Sequence, residues 1–178
     1  HEVVLFEKEA QLGGRLHEAS ALFCKVDHHK RYLAWDVGET RRSGVDVRLG
    51  VEATPELVMR ESPDAVIVAI GAEHVVPGIK GVECRHVMSV TDTDLKRRPM
   101  GKRVVIIGGG LSALECGIQL AYEGHEVEML SRIAEDDSWR EVMNELRSGL
   151  VELKDRYGVN FVGNANAVEI TDSGVVYE

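Results

Sequence analysis

Gly108-Gly109-Gly110-Leu111-Ser112-Ala113 is a stretch of nearly bare backbone that follows the apolar run Val104-Val105-Ile106-Ile107. The spacing Gly108-x-Gly110-x-x-Ala113 suits one chemical task. A turn without side chains lets main-chain N–H groups approach an anion, and a following helix adds the partial positive charge of its N-terminus. The pyrophosphate of a dinucleotide is the anion that fits. Gly108 makes the turn, Gly110 admits the phosphate, and Ala113 stands where a third small residue lets helix and strand pack closely. Alone the pattern is weak. Here it follows a strand-like run and opens a helix-like one, Leu111 to Glu123, which Gly124 is placed to cap.

A second candidate lies at the end of the next strand, where a nucleotide's ribose is read. His1-Glu2-Val3-Val4-Leu5-Phe6-Glu7 matches His125-Glu126-Val127-Glu128-Met129-Leu130-Ser131 at an offset of 124, and Ser43-Gly44-Val45-Asp46-Val47 matches Tyr157-Gly158-Val159-Asn160-Phe161 at an offset of 114. A carboxylate such as Glu7 accepts hydrogen bonds from ribose hydroxyls and repels a 2′-phosphate, as suits FAD or NAD. In the second copy Ser131 and Arg132 stand there instead. A hydroxyl and a guanidinium favour a phosphate, so this site leans toward NADPH unless Arg132 simply faces solvent. Gln11-Leu12-Gly13-Gly14-Arg15-Leu16 follows Glu7 closely. Its paired glycines let the backbone pass near a further part of a ligand, with Arg15 as a counter-charge.

The elements that must position these residues follow from the same repeat. Each pair of matches brackets a helix, roughly His28 to Arg42 in the first copy and Ser138 to Arg156 in the second. Pro55 to Glu61 reads as a short helix, Asp64 to Ala72 as a buried strand ending on Gly71, and Asp172 to Glu178 as part of a hairpin. Strands alternating with helices predict an α/β fold: two Rossmann-like parallel-sheet units in tandem, with strands buried on both faces. Both units read as incomplete in this fragment. Residues 1–84 are expected to form a partial nucleotide-binding domain without its first βα unit. Residues 85–178 are expected to form an NAD(P)-binding domain without its C-terminal strand. Val75 to Met100, with two of the four prolines, is the expected connection, and Lys96-Arg97-Arg98 a solvated turn within it.

Composition removes several classes. The chain has 178 residues, 21 Lys+Arg and 30 Asp+Glu, so its net charge of −9 argues against a nucleic-acid partner. No window reaches the roughly 18 unbroken apolar residues of a membrane span, and no signal peptide opens the chain, which points to a cytoplasmic protein. Cys24, Cys84 and Cys116 form no disulfide framework and no CxxC, so dithiol redox chemistry is not expected. Cys116 reads as a small buried hydrophobe. Cys24-x-x-Asp27-His28-His29 lacks a second ligand pair at a familiar spacing, so no metal site is expected. Tyr32 and Trp35 are read as packing their helix. No catalytic residue is assigned. Where bound cofactors carry the chemistry, the protein need supply no acid or base of its own.

Together, Leu5-Phe6-Glu7-Lys8 with Leu12-Gly13-Gly14-Arg15-Leu16, Val66-Ile67-Val68-Ala69-Ile70-Gly71-Ala72, and Val105-Ile106-Ile107-Gly108-Gly109-Gly110 with Glu115 resemble the two-dinucleotide-binding-domain flavoproteins of the pyridine nucleotide-disulfide oxidoreductase superfamily. More narrowly they resemble the C-terminal module of old yellow enzyme-like NADH:flavin oxidoreductases, the group of 2,4-dienoyl-CoA reductase, 2-enoate reductase and trimethylamine dehydrogenase. Ile70 departs from the threonine common in the wider superfamily.

The resemblance implies FAD on the first domain, with Glu7 and Lys8 at the adenosine ribose and Gly13, Gly14 and Arg15 along the dinucleotide. Ala53 would flank the adenine, and Ala69 and Gly71 would close the site. It implies a pyridine nucleotide on the second domain through Gly108, Gly109, Gly110, Leu111, Ser112 and Ala113, with Glu115 toward the nicotinamide and Ser131 and Arg132 toward the adenosine. An N-terminal domain of the same chain, bearing FMN and a 4Fe-4S cluster, would receive the electrons and reduce an enoate or enoyl-type double bond. The fragment by itself is expected to be inactive. Two other classes compete: a structural or vestigial nucleotide-binding module that passes no hydride, and a methyltransferase, which needs only one such unit.

Overall fold

In the computed structural model, which describes residues 1–22, 26–140 and 144–178, the repeat reappears as one strand register used twice. Strand β1 (Val4–Glu7) pairs in parallel with β2 (Asp46–Leu49), placing Val4 beside Asp46, Leu5 beside Val47 and Phe6 beside Arg48. Strand β4 (Glu126–Leu130) pairs in parallel with β5 (Asn160–Val162), placing Glu128 beside Asn160, Met129 beside Phe161 and Leu130 beside Val162. Each of these pairs maps onto its counterpart by the offsets of 124 and 114. Packing divides the chain into two units, His1–His74 and Val75–Glu178. Residues 75–84 belong with the second unit, because the Lys80 carbonyl accepts the Ile170 amide at 2.8 Å and Lys80 forms a bridge to Glu169.

In the first unit, α1 (Leu16–Ala19) and α2 (Val26–Arg42) lie between the two strands in sequence, and α3 (Pro55–Arg60) follows them. Thr54 caps α3 by accepting the Leu57 amide at 3.2 Å, and Pro55 opens the helix where its missing N–H costs nothing. Arg48 joins β2 to the end of α3. Its guanidinium donates to Asp46 at 2.8 Å and to Glu61 at 2.7 Å, and lies 5.3 Å over the Phe6 ring. Leu33 of α2 is buried with Leu12 and Leu22. Tyr32 and Trp35 are not: both are more than half exposed and pack on one another, ring centroids 5.7 Å apart.

The strand expected at Asp64 to Ala72 does not form. No strand is present there, and Ile67 is 91% and Ile70 86% exposed. A β-branched run becomes a strand only when a neighbour completes its hydrogen-bond ladder. The sheet of this unit consists of β1 and β2, and neither pairs with residues 64–72.

In the second unit, α4 (Val90–Asp94) is capped by Ser89, which accepts the Asp92 amide at 3.0 Å. Strand β3 (Arg103–Ile107), helix α5 (Leu111–Tyr122) and strand β4 then form the first turn of a three-stranded parallel sheet ordered β3-β4-β5. Helix α5 ends as expected, with Gly124 at φ +94 and its amide bonded to the Ala121 carbonyl at 3.0 Å. Between β4 and β5 lie α6 (Glu135–Ser138) and α7 (Asn144–Tyr157), where one helix was expected. Strands β6 (Ala167–Thr171) and β7 (Gly174–Tyr177) pair antiparallel, the expected hairpin.

The core lies where α5 covers β3 and β4. Leu114, Ile118, Leu120, Met129 and Leu130 are each at most 2% exposed. Removing such side chains costs roughly 2–5 kcal/mol each. Burial on both faces is not found for β3: Ile106 faces α5 and is 8% exposed, while Val105 and Ile107 on the other face are 39% and 37% exposed. Nothing among the described residues covers that face fully. The basic run at 96–98 is a turn, as expected, but it is engaged within the chain. Lys96 pairs with Glu123 at 2.7 Å, Arg97 with Asp92 at 2.9 Å, and Arg98 donates to the carbonyls of Arg85 and Val87 at 2.7 and 2.6 Å.

Candidate dinucleotide sites

In the second unit the glycine turn leaves β3 and is fastened at once to the next strand, because the Gly108 amide donates to the Leu130 carbonyl at 2.8 Å. Gly108 has φ +132, a conformation that side-chain-bearing residues rarely adopt. Gly110 is the N-cap of α5, and no side chain caps that helix end. A β-carbon on Gly108 or Gly110 would meet no atom within 4 Å. A helix start without a side-chain cap, opening onto uncrowded space, is the surroundings a pyrophosphate requires.

Gly109 is different. A β-carbon there would collide with the Ser131 hydroxyl, lie 2.7 Å from Ser131 Cβ and 3.1 Å from Ser138 Oγ. Its lack of a side chain serves internal packing. Its carbonyl accepts a hydrogen bond from Trp139 Nε1 at 2.8 Å. Further along α5, Leu111 is half-buried, Ser112 exposed, Ala113 buried and Glu115 4% exposed. Ala113 therefore meets the close-packing expectation, and Gly117 extends it: a β-carbon there would lie 3.2 Å from Met129 Sδ and 3.3 Å from Ile106 Cδ1.

Ser131 directly follows β4 and is 4% exposed. Its amide donates to the Val162 carbonyl at 2.9 Å, and its carbonyl accepts the Ala165 amide at 2.8 Å. Its hydroxyl accepts the Ile133 amide at 3.1 Å and lies 3.4 Å from Ser138 Oγ. Arg132, next to it, is exposed. Lys154 on α7 holds this region together through Glu135 at 2.7 Å and Asp155 at 2.9 Å, with its side chain 9% exposed. Burial alone would lower the pKa of its ammonium, but the two carboxylates outweigh that and hold it above the usual lysine value.

In the first unit Glu7 ends β1, half-buried. Its Oε1 accepts the Glu9 amide at 2.8 Å, and its carbonyl accepts the Val51 amide at 2.9 Å. Lys8 and Ala53 are exposed. Gly13 is obligatory for packing, since a β-carbon would lie 2.5 Å from Leu33 Cδ1 and 2.7 Å from His17 Nε2; at Gly14 a β-carbon would meet nothing within 4 Å. Arg15 reaches across to the residues after Gly71. It donates to the Ala72 carbonyl at 2.5 Å and to Glu18 at 2.8 Å, and lies 3.1 Å from His74 Nε2. The Gly13–Arg15 loop and the Gly71–Ala72 turn, far apart in sequence, are thus brought together, while Ala69 stays exposed in the unpaired segment.

The residues present fit the two dinucleotides. The half-buried Glu7 suits a ribose, the exposed Arg132 a phosphate and the uncapped start of α5 a pyrophosphate, while the Ser131 hydroxyl is turned inward against Gly109. Among the described residues no cluster of three or more His, Cys, Asp and Glu could hold a metal. Cys24 of the weighed metal pattern lies outside the described residues. Cys116 is 1% exposed, and burial, with Asp94 beside it, pushes its thiol up, so it is unreactive at neutral pH. No described helix is long and apolar enough to cross a membrane.

Sequence reasoning missed Trp139, Ser138 and Gly117. Gly117 carried a signal, sitting four residues beyond Ala113 on the same helical face. Trp139 carried none, because 30 residues of chain separate it from Gly109.

The chain is similar to known proteins along its whole length. The bilirubin reductase of Mediterraneibacter gnavus is 38% identical over 182 residues, covering 100% of this chain and 27% of the relative. The NADH oxidase of Thermoanaerobacter brockii is 41% identical over 143 residues, covering 76% of this chain and 22% of the relative. This chain therefore spans about a quarter of those relatives' lengths. Among solved structures, a 2-naphthoyl-CoA reductase superposes over 100% of this chain and 26% of its own, with a TM-score of 0.88 at 24% identity. Histamine dehydrogenase from Rhizobium sp. 4-9 does so over 100% and 29%, with a TM-score of 0.75 at 21% identity. The family model for pyridine nucleotide-disulphide oxidoreductases matches residues 1–178, and the chain belongs to that family.

Proposed function

We propose that this chain is the cofactor-handling part of a flavin-dependent NAD(P)H oxidoreductase. The first unit holds FAD, with Glu7 on its ribose and Gly13, Gly14 and Arg15 along its length; Lys8, Ala53, Ala69 and Gly71 border it. The second holds NAD(P)H, with a lean toward NADPH, at Gly108 to Ala113, Glu115, Ser131 and Arg132. When bound, the two cofactors supply the hydride donor and its acceptor. The chain's own residues bind and orient them: open main-chain amides face the pyrophosphate, and the strand-end side chains read the adenosine. Electrons pass on to an FMN and iron–sulfur domain of the same cytoplasmic polypeptide, which reduces an enoate or enoyl-type double bond.

One observation carries the reading. Glu7 and Ser131 hold the same place in a duplicated strand register, yet one is a carboxylate and the other a buried hydroxyl followed by the exposed Arg132. The relatives named as bilirubin and cinnamate reductases support the substrate class. The test is anaerobic titration of the full-length protein with NADH and NADPH, followed by flavin absorbance. Bleaching by either nucleotide is the expected outcome. A stably bound flavin that neither nucleotide bleaches would instead make the module structural.

A further inference from the structure

The observations around Gly109 carry one step more, resting on the pyridine-nucleotide reading of the second unit. Trp139 is 3% exposed, sits immediately after α6, and stacks edge-on against Phe161 of β5 with ring centroids 5.1 Å apart. Its indole nitrogen donates to the Gly109 carbonyl at 2.8 Å. That carbonyl shares a planar trans peptide with the Gly110 amide, and in such a unit C=O and N–H point in opposite directions. Holding one therefore aims the other. With the Gly109 oxygen drawn to the buried Trp139, the Gly110 N–H faces away from it, on a turn whose flanking glycines meet no atom within 4 Å of a β-carbon position.

We infer that Trp139 is a positioning residue for the pyridine nucleotide: it locks the Gly109–Gly110 peptide so that the Gly110 amide is preorganised to donate to the pyrophosphate. Glycine on both sides makes the lock necessary, since a Gly-Gly peptide turns over more freely than any other. Ser131 and Ser138 fill the space where a β-carbon on Gly109 would stand. The contact bears on ground state and transition state alike, because the pyrophosphate takes no part in the chemistry. Loss of the lock thus raises KM and leaves kcat unchanged.

Trp139→Phe in the full-length protein keeps a ring against Phe161 and removes the N–H. The expected result is a KM for NADH and for NADPH raised by about fivefold, the scale of one neutral hydrogen bond. The value of kcat should stay within twofold and the flavin content unchanged. An unchanged KM, or a fall in kcat with KM unchanged, overturns the inference. If Trp139→Phe fails to fold, replacement by the isosteric benzothienylalanine, which lacks only the N–H, gives the same readout. If the unsubstituted protein binds no pyridine nucleotide, both this inference and the reading beneath it fall. If it binds and the variant binds equally well, only this inference does.

Discussion

The main-chain oxygen of Glu7 accepts the Val51 amide at 2.9 Å, and that of Ser131 accepts the Ala165 amide at 2.8 Å, so the two residues hold one position in a duplicated fold. Their side chains have parted. The Glu7 carboxylate turns to the Glu9 amide, and the buried Ser131 hydroxyl turns to the Ile133 amide beneath Gly109. One scaffold thus carries two different side chains at corresponding strand ends, and the difference can be tested at each.

Arg132 directly follows Ser131 and is exposed. Arg132→Ala should weaken NADPH by about tenfold, as for loss of a charge-assisted bond to a phosphate, and leave NADH within twofold. Fluorescence titration with both nucleotides decides it. Equal losses for the two would remove the 2′-phosphate assignment.

Gly110 and Gly108 separate binding from folding. Gly110 has φ −75 and ψ 173, which alanine adopts without strain, and a methyl there meets no atom within 4 Å. Gly110→Ala should keep its melting temperature while NAD(P)H affinity falls at least about tenfold, or ~1.4 kcal/mol. Gly108→Ala, at φ +132, should lose both binding and roughly 1–2 kcal/mol of stability. Equal melting temperatures for the two variants would contradict this division.

Gly109→Ala drives a methyl into Ser131 and should cost about 1–3 kcal/mol by overpacking. Ser131→Gly in the same chain removes the obstructing atoms, so the double variant should recover most of that loss. Denaturant melts of the single and double variants measure the recovery, and simple additivity would show that the clash is not the cause.

Lys154 gives a pH signature. Its pKa is raised in the folded chain, so its contribution is complete below the unfolded lysine value near 10.4 and fades as pH climbs through the higher folded value. Lys154→Met should therefore be less stable than the parent by roughly 1–3 kcal/mol at pH 7 to 9, with the gap narrowing above about pH 10.5. A gap independent of pH up to 12 would show that the lysine stem, and not its charge, does the stabilising.

Much of the fold was legible because hydrophobic period and glycine placement are local. The run Val104–Ile107, the turn at Gly108 and the cap at Gly124 each announce themselves within a few residues, and the offsets of 124 and 114 predicted a register that β1–β2 and β4–β5 then share. The run from Val66 to Ile70 shows the limit of that logic. Its β-branched pattern specifies a strand, but a strand exists only with a partner for its ladder, and local composition holds no record of whether one is at hand.

The site divides along the same line. Sequence alone determined which residues are bare, charged or hydroxyl-bearing: Gly108, Gly110, Glu7, Ser131 and Arg132. Only the tertiary structure decided what each faces. It set Gly109 against Ser131, Arg15 against the Ala72 carbonyl, and the Trp139 indole under the glycine turn. Those contacts join residues tens of positions apart, and they depend on how strands and helices stack, which residue spacing along the chain does not encode.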